Sequence, residues 1–318
     1  MAVYTHVSAE ELADLLTRYD AGTLVSAKGI AEGVENSNYL VDTSSSRFIL
    51  TLYEKRVDAG DLPFFIALLD HLADRGLPVP RMIRDRDGIQ LQQISGRPGC
   101  LIEYLPGVSL SHPTPAQARA AGAAMGQMHE ALADFTLERP NALGVDSWQP
   151  LLERCGRDLD RIDSALYDDI AAALAFVMPR WDRSGPHSVI HADLFPDNVL
   201  MLGDRVGGLI DFYFACSDLR LYDLAIMHGA WSFDATGRDY AADVGKALLE
   251  GYTASFGLAA EDRAQLPILA MGGCIRFALT RAWDWLNTPA DALVTRKDPL
   301  AYTRRLAFYR AAGADLFA

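Results

Sequence analysis

Four polar residues combine the side-chain types and the spacing that phosphate chemistry needs. His191, Asp193 and Asn198 follow the pattern H-x-D-x-x-x-x-N, and Asp211 comes directly after the apolar run 206–210. Phosphoryl transfer from ATP needs a carboxylate to orient the acceptor hydroxyl and accept its proton, and oxygen ligands for Mg²⁺. Asp193 suits the first role, and Asn198 with Asp211 suits the second. The pattern therefore predicts transfer of a phosphoryl group from ATP.

The role of each residue follows from a match to the catalytic loop of protein kinases, which has the same spacing. The alternative is that residues 196–198 simply form a turn between two strands. A second acid at the end of its own predicted strand, Asp211, favours the catalytic interpretation. His191 is expected to be a buried scaffold residue that hydrogen-bonds the loop, rather than a proton carrier.

The whole chain sets further limits on partners and location. Its 318 residues exceed one ordinary core, so two lobes are expected. A net charge of −13 argues against nucleic acid as a partner. Four widely separated cysteines and the lack of a signal-like N-terminus favour a reducing cytoplasm. The best membrane candidate, 266–275, is too short to span a bilayer, so no membrane association is expected.

Sequence periodicity predicts a strand-rich part followed by a helix-rich part. A capping box at Ser8 opens a first helix, and Thr114 with Gln117 opens another. Strands are predicted at about 24–31, 37–43, 47–53 and 100–103, with two more on either side of Asp87-Gly88 and a helix near 61–75. Later helices are predicted near 147–160, 164–182, 219–231, 238–256, 262–286 and 299–314.

This order of elements predicts an α+β, bilobal protein-kinase-like fold. Residues 1–103 would form an N-terminal nucleotide-binding lobe with an antiparallel sheet. Residues 104–107 would form a hinge, and 108–318 a mainly helical lobe for catalysis and substrate binding. The nucleotide is expected in the cleft between the lobes.

The first predicted hairpin is a candidate for binding phosphates through backbone N–H groups. The residues proposed for this role are Gly33, Asn36, Ser37 and Asn38. The alternative is an ordinary hairpin turn. The third strand departs from the protein-kinase pattern, because Thr51 stands where a phosphate-contacting Lys is expected. Lys28 or Lys55 could supply the missing charge, or both could be solvated surface residues.

Several motifs together resemble a known superfamily of small-molecule kinases. HADLFPDN, IDF and the segment DLRLYDLA resemble the aminoglycoside phosphotransferase–choline kinase superfamily. GVENSNYLV, FILTLYEKR, LPVPRMI, LIEYLPG, IDFYFAC and IRFALTR are similar to its homoserine kinase branch, which shares Thr at position 51. The resemblance implies ATP-dependent phosphorylation of the side-chain hydroxyl of L-homoserine, on the way to threonine.

The resemblance also implies roles for individual residues. Asp193 would be the catalytic base, and Asn198 with Asp211 would hold Mg²⁺. Asp223 would be structural, tying the loop after Asp211. The hinge would place backbone groups against adenine, and its residues are Glu103, Tyr104 and Leu105.

An amino-alcohol acceptor such as homoserine needs a cation for its carboxylate. Arg276 and Arg281, on the predicted helix 262–286, are the candidates, and the alternative is that they pair with surface acids. Tyr213 lies close to the predicted chemistry. His228 and Trp231 form a second candidate wall, although packing in the core is the favoured interpretation.

Rival functions remain open at the level of sequence. The chain could act on another small alcohol, such as choline, an aminoglycoside or a methylthioribose-like sugar. Arg276 favours an acceptor that carries a carboxylate. The absence of the strand-three Lys also allows an inactive nucleotide-binding module, and a metal-binding regulatory protein is a third possibility. The oligomeric state is not indicated.

Overall fold

A computed structural model of the chain describes residues 5–30, 36–54, 58–288 and 296–317. The chain divides into two compact units, Met1–Pro106 and Gly107–Ala318. The division falls inside the segment 104–107. The predicted α+β class is confirmed, with an antiparallel sheet in the first unit and mainly helices in the second.

The first unit is built on a five-stranded antiparallel sheet with strand order β1-β2-β3-β5-β4. Its strands are β1 (Leu24–Gly29), β2 (Asn36–Thr43), β3 (Arg47–Tyr53), β4 (Gln92–Ile94) and β5 (Arg97–Glu103). Asn38 lies opposite Thr51, and Thr51 lies opposite Cys100. Residues paired in this way point to the same face of a sheet.

Two helices accompany this sheet, α1 (Ala9–Leu16) and α2 (Leu62–Asp74). The predicted capping box at the start of α1 is present, since the Ser8 hydroxyl accepts from the Glu11 N–H and the Glu11 carboxylate accepts from the Ser8 N–H. The buried face of α1 belongs to one apolar core with the sheet, which includes Leu12, Leu15, Leu16, Val41, Leu50, Leu52 and Leu101. This helix therefore fixes one face of the sheet.

The prediction of two strands around Asp87-Gly88 is wrong. That segment is a loop in which the Asp85 carboxylate accepts from the backbone N–H groups of Asp87 and Ile89. The hairpin turn that joins β4 to β5 is at Ser95-Gly96, where φ is 49° and 75°. The Asp-Gly pair marks a turn correctly. The segment before the turn pairs with β5, with Met82 opposite Ile102, and the strand after it, β4, begins only at Gln92.

The second unit consists mainly of helices whose predicted positions are confirmed to within a few residues. They are α3 (Pro115–Ala131), α4 (Val145–Cys155), α5 (Leu166–Val177), α6 (Arg220–Trp231), α7 (Ala242–Ser255), α8 (Ala260–Asn287) and α9 (Leu300–Ala312). Helices α3 and α7 approach closely because Gly122 and Gly251 have no side chain: a Cβ on Gly251 would lie 2.0 Å from the Arg119 carbonyl oxygen. Among the described helices, none is long and apolar enough to cross a membrane.

Two small antiparallel sheets in the second unit frame the polar segment 191–211. The first pairs β6 (His187–Ile190) with β9 (Cys216–Leu219), and the second pairs β7 (Val199–Leu202) with β8 (Arg205–Leu209). The sequence predicts β8 from the apolar run 206–210, but not its partner β7. The loop after β6 carries Asp193 and Asn198, and the loop after β8 carries Asp211.

Candidate active site

The backbone around Ala192 is anchored by a buried carboxylate of α6. Asp223 accepts the N–H of His191 at 2.8 Å and the N–H of Ala192 at 2.8 Å. Burial alone would raise the pKa of Asp223, but the hydrogen bonds from His129 and from the His191 backbone hold that pKa below its usual range. Asp223 therefore binds the segment before Asp193, rather than the loop after Asp211 as expected from the sequence.

His191 connects the two loops of the site. Its Nδ1 accepts the Asp193 N–H at 3.3 Å, so the proton lies on Nε2, which donates to the Ile210 carbonyl at 3.0 Å. The ring is fully buried, and burial lowers its pKa. An imidazole that is neutral and hydrogen-bonded at both ring nitrogens supports the scaffold role for His191.

Asp193, Asn198 and Asp211 lie close together. The Asn198 Nδ2 donates to the Asp193 carbonyl oxygen at 2.8 Å and to its Oδ2 at 3.3 Å. Because only the amide nitrogen can donate to a carbonyl, the Oδ1 of Asn198 is the atom that could bind a cation. The Ile210 N–H donates to the Asn198 carbonyl at 3.0 Å, which brings the start of the second loop to the first. Asp211 follows with a left-handed φ of 65°.

The electrostatics of the site favour a positive charge near Asp193. The pKa of its carboxyl is raised to about 8, chiefly by burial and also by the nearby Asp211. The positive side chains of Arg276 and Lys297 lower the pKa of Asp193. The oxygens of Asn198 and Asp211 are hard ligands of the kind that Mg²⁺ binds. The donor set of this part of the chain therefore fits a divalent cation.

Two of the cations that face Asp193 were indicated by the sequence, and one was not. Arg276 is buried, and its Nη1 donates to the Ala192 carbonyl at 2.7 Å. Arg281 is partly buried, donates from Nη1 to the Asp298 carbonyl at 3.2 Å, and interacts electrostatically with Asp193. Lys297 is exposed, with Nζ 5.9 Å from the ring centre of Phe195. No pattern in the sequence distinguishes this Lys from a surface residue.

The aromatic candidates occupy different positions. Tyr213 lies in the short 3₁₀ turn Phe212–Phe214 directly after Asp211 and is partly exposed. His228 and Trp231 are buried in the second unit. The His228 ring bonds the Tyr309 hydroxyl at 2.7 Å, and the Trp231 Nε1 donates to the Leu194 carbonyl at 2.9 Å. These contacts match packing in the core, with Trp231 supporting the loop from behind.

The phosphate candidates of the first unit lie on a strand rather than at a hairpin tip. Asn36, Ser37 and Asn38 are the first residues of β2, and Gly33 lies outside the described residues, as does Lys55. The Ser37 hydroxyl donates to a Glu54 carboxylate oxygen at 2.8 Å.

Thr51 is buried and satisfied by a neighbouring strand. Its hydroxyl donates to the Asn38 Oδ1 at 2.7 Å, so an uncharged hydrogen bond occupies the place of the expected Lys. Lys28, on β1, is exposed. The side chain of Asn38 is therefore oriented by Thr51.

The predicted hinge residues lie at the end of β5 and directly after it. The Glu103 N–H donates to the Arg81 carbonyl at 2.9 Å, and the ring centre of Tyr104 lies 5.2 Å from the Arg47 guanidinium carbon. Leu105 is partly exposed. Their backbone contact with adenine stays a prediction.

Comparison with known sequences identifies close relatives. The sequence model of the phosphotransferase enzyme family (APH) matches residues 26–265. A homoserine kinase of Zymomonas mobilis subsp. mobilis is 50% identical over 317 residues, which cover 99% of each chain. A homoserine kinase of Nitrobacter winogradskyi is 52% identical over 315 residues, 98% of this chain and 96% of the relative.

Solved structures share the fold at low sequence identity. A microcompartment-associated aminopropanol kinase has a TM-score of 0.71 at 20% identity, covering 96% of this chain and 97% of its own. The amicoumacin kinase hAmiN, in complex with AMP-PNP, Ca²⁺ and Ami, has a TM-score of 0.69 at 15% identity, covering 98% and 94%. These two comparisons establish the fold, and the sequence relatives establish the family. The chain belongs to the phosphotransferase enzyme family and, within it, to the homoserine kinases.

Proposed function

We propose that this protein transfers the γ-phosphoryl group of ATP to the side-chain hydroxyl of L-homoserine, giving O-phosphohomoserine. Asp193 orients the hydroxyl and accepts its proton. The observation that carries the proposal is the convergence of Asp193, Asn198 and Asp211, with Asn198 bonded to Asp193. The sequence relatives are homoserine kinases that align with this chain over nearly their whole length, and they support this choice of acceptor.

Asn198 and Asp211 are the proposed Mg²⁺ ligands, through the amide Oδ1 and the carboxylate. When bound, Mg²⁺ neutralises negative charge on the phosphates. The protein contributes position, because a loose phosphoryl-transfer transition state leaves little covalent work to the side chains. The bond from Asn198 holds the Asp193 carboxylate next to the ligand oxygen, so base and metal ligand keep a fixed separation.

The raised pKa of Asp193 fits this role. A carboxyl whose pKa is about 8 takes up a proton more readily than an ordinary aspartate. This pKa already includes the lowering by Arg276 and Lys297, and a bound cation would further favour the ionised form that must be present before the reaction. The proton of the hydroxyl therefore passes to Oδ of Asp193 as the new O–P bond forms and the bond between the γ-phosphorus and the bridging oxygen breaks, releasing ADP.

Arg281 is the proposed partner of the acceptor carboxylate. It is partly buried, and it lies close enough to Asp193 for the two charges to interact. Its hydrogen bond to the Asp298 carbonyl uses Nη1. A guanidinium carries five N–H donors, so donors remain for a carboxylate. An acceptor with a hydroxyl at Asp193 and a carboxylate at Arg281 matches the chemistry of a small hydroxy amino acid.

The proposal is tested by ATP consumption with a panel of alcohols. L-homoserine, choline, kanamycin and methylthioribose are compared at equal concentration, together with homoserinol, in which a hydroxymethyl group replaces the carboxylate. We expect kcat/KM for L-homoserine to exceed every other value at least about tenfold, since loss of a hydrogen bond to a charged group costs roughly 1.5–3 kcal/mol. A higher kcat/KM for any other alcohol would overturn the choice of acceptor, and no turnover with any of them would favour an inactive nucleotide-binding protein.

A further inference from the structure

The buried Arg276 is bound to the backbone of the catalytic loop. It lies on α8, is 2% exposed, and donates from Nη1 to the Ala192 carbonyl at 2.7 Å, across 84 residues of sequence. Its guanidinium carbon lies 4.6 Å from the ring centre of Phe277 and 5.7 Å from that of Phe214. Burying a charged side chain costs free energy unless that side chain is hydrogen-bonded. The bond to the Ala192 carbonyl therefore stabilises the buried Arg276 and at the same time holds that carbonyl.

Ala192 has a conformation that its own side chain disfavours. Its φ is 63°, in the left-handed region that non-glycine residues rarely adopt. The N–H of Ala192 belongs to the peptide group before its Cα, and Asp223 accepts from it at 2.8 Å. The carbonyl of Ala192 belongs to the peptide group after its Cα, and Arg276 donates to it. Asp223 and Arg276, from two helices, thus hold the peptide planes on both sides of this residue. His191 also holds the second plane, because its Nδ1 accepts the Asp193 N–H at 3.3 Å.

The second of these peptide groups carries the nitrogen of Asp193. Rotation about the backbone of Ala192 would therefore swing the Asp193 carboxylate away from Asn198. We propose that Arg276 is a positioning residue: by holding the Ala192 carbonyl, it keeps the left-handed turn that aims Asp193 at the acceptor hydroxyl. This inference rests on the proposed role of Asp193 as base. It differs from the sequence-based prediction, in which Arg276 contacts the acceptor carboxylate.

Arg276→Met removes the donor while keeping an unbranched side chain of similar length. We expect kcat to fall about 100-fold, as a small misplacement of a catalytic group does, with KM for ATP and for the acceptor changed less than threefold. Arg276→Lys keeps a donor but not the guanidinium geometry, so its kcat is expected to recover at least tenfold over Arg276→Met while staying at least threefold below wild type. The matched control is Arg263→Met on the same helix: Arg263 also donates from Nη1 to a carbonyl, that of Phe317 at 2.8 Å, and kcat should stay within twofold.

The two interpretations of Arg276 predict different kinetic constants. A rise in acceptor KM at unchanged kcat would make Arg276 an acceptor ligand and overturn the proposal, as would a kcat within threefold of wild type in Arg276→Met. Should Arg276→Met lose the wild-type circular dichroism spectrum, Arg276→Lys decides alone: we expect kcat lowered at least threefold at unchanged KM, and any other result overturns the proposal.

A second background tests the backbone mechanism itself. Glycine adopts a left-handed φ without the penalty that alanine has. In the Ala192→Gly background, the loss of kcat caused by Arg276→Met should therefore shrink about tenfold. Equal losses in both backgrounds would overturn the mechanism. All constants are measured with the alcohol that the wild-type protein phosphorylates best, so a wrong acceptor assignment leaves this test intact.

Discussion

The carboxylate of Asp193 accepts a hydrogen bond from Asn198. Substitution by asparagine removes the basic carboxylate while it keeps the shape of the side chain. In Asp193→Asn, the amide has no basic oxygen of comparable strength. We expect kcat to fall about 10²–10⁴-fold, the usual contribution of a general base, while the Kd for ATP with Mg²⁺ stays within threefold. Steady-state turnover and calorimetric titration measure the two quantities. Wild-type turnover in this variant would remove Asp193 from the mechanism.

Replacement of Asp211 should weaken the binding of ATP with Mg²⁺, whereas Asp193→Asn should leave that binding unchanged and lower kcat. The proposed role of Asp211 is to hold the cation, so Asp211→Ala should weaken the binding of ATP with Mg²⁺ at least about tenfold, and binding measured without Mg²⁺ should change little. The matched control is Asp204→Ala, an exposed acid in the turn between β7 and β8. If Asp211→Ala binds ATP and Mg²⁺ as tightly as that control, Asp211 is not the cation ligand.

At the scale of elements, the contact between α3 and α7 depends on glycine. A Cβ on Gly251 would lie 2.0 Å from the Arg119 carbonyl oxygen and 2.8 Å from its carbon, and neither backbone can move without displacing a helix. Gly251→Ala should lower the free energy of unfolding by about 1–3 kcal/mol or more. Unfolding in urea measures the change.

The control for that substitution is Gly229→Ala on α6. Its Cβ would meet nothing closer than the Tyr309 hydroxyl at 3.6 Å, an ordinary contact distance. Alanine also has the higher helix propensity, by up to about 1 kcal/mol. We therefore expect equal or greater stability. Similar losses for both glycine variants would show that general helix packing, rather than the close approach at Gly251, is responsible.

Elements with local signals could be predicted from the sequence, and elements that depend on distant partners could not. The capping boxes at Ser8 and Thr114 are complete within four residues, and both helices begin there. Strand β9 is different: its four residues include Ser217 and Asp218, and it is a strand because β6 lies beside it. The hairpin at Ser95-Gly96 was missed because Asp87-Gly88 is the stronger turn signal.

The site divides in the same way. Asp193, Asn198 and Asp211 lie within one short segment, and their types and spacing already predict a shared role. Arg276 donates to a backbone carbonyl 84 residues away. Every residue has a backbone carbonyl, so the residue type does not show which one is bound. For that reason the sequence could indicate an important Arg without indicating what it touches.

For the whole molecule, one buried histidine predicts how stability depends on pH. His228 is fully buried, and burial lowers its pKa to about 3, whereas an unfolded chain has a His pKa of about 6.5. Between these values the unfolded state binds the proton and the folded state does not. The contribution of His228 to the free energy of unfolding should therefore fall by about 1.4 kcal/mol per pH unit as pH decreases below about 6.5. Above that pH, the contribution of His228 is constant.

His228→Gln isolates this contribution because glutamine does not titrate. Between pH 7 and pH 5, the wild-type protein should lose about 2 kcal/mol more than this variant, measured by urea unfolding at both pH values. His112→Gln, at an exposed position, is the control and should follow the wild-type protein. The same pH dependence in wild type and His228→Gln would show that His228 is already protonated or hydrated in the folded state.

The span between Ala192 and Arg276 also sets an order of events during synthesis. A ribosome that adds roughly 5–20 residues per second needs several seconds to reach Arg276 after Ala192 has been made. Once Asp211 has been added, the nascent polypeptide holds every residue of the phosphoryl-transfer motif but does not yet hold the guanidinium of Arg276 that braces its turn. A polypeptide whose translation stops between Asp211 and Arg276 would contain the kinase motif but have no activity.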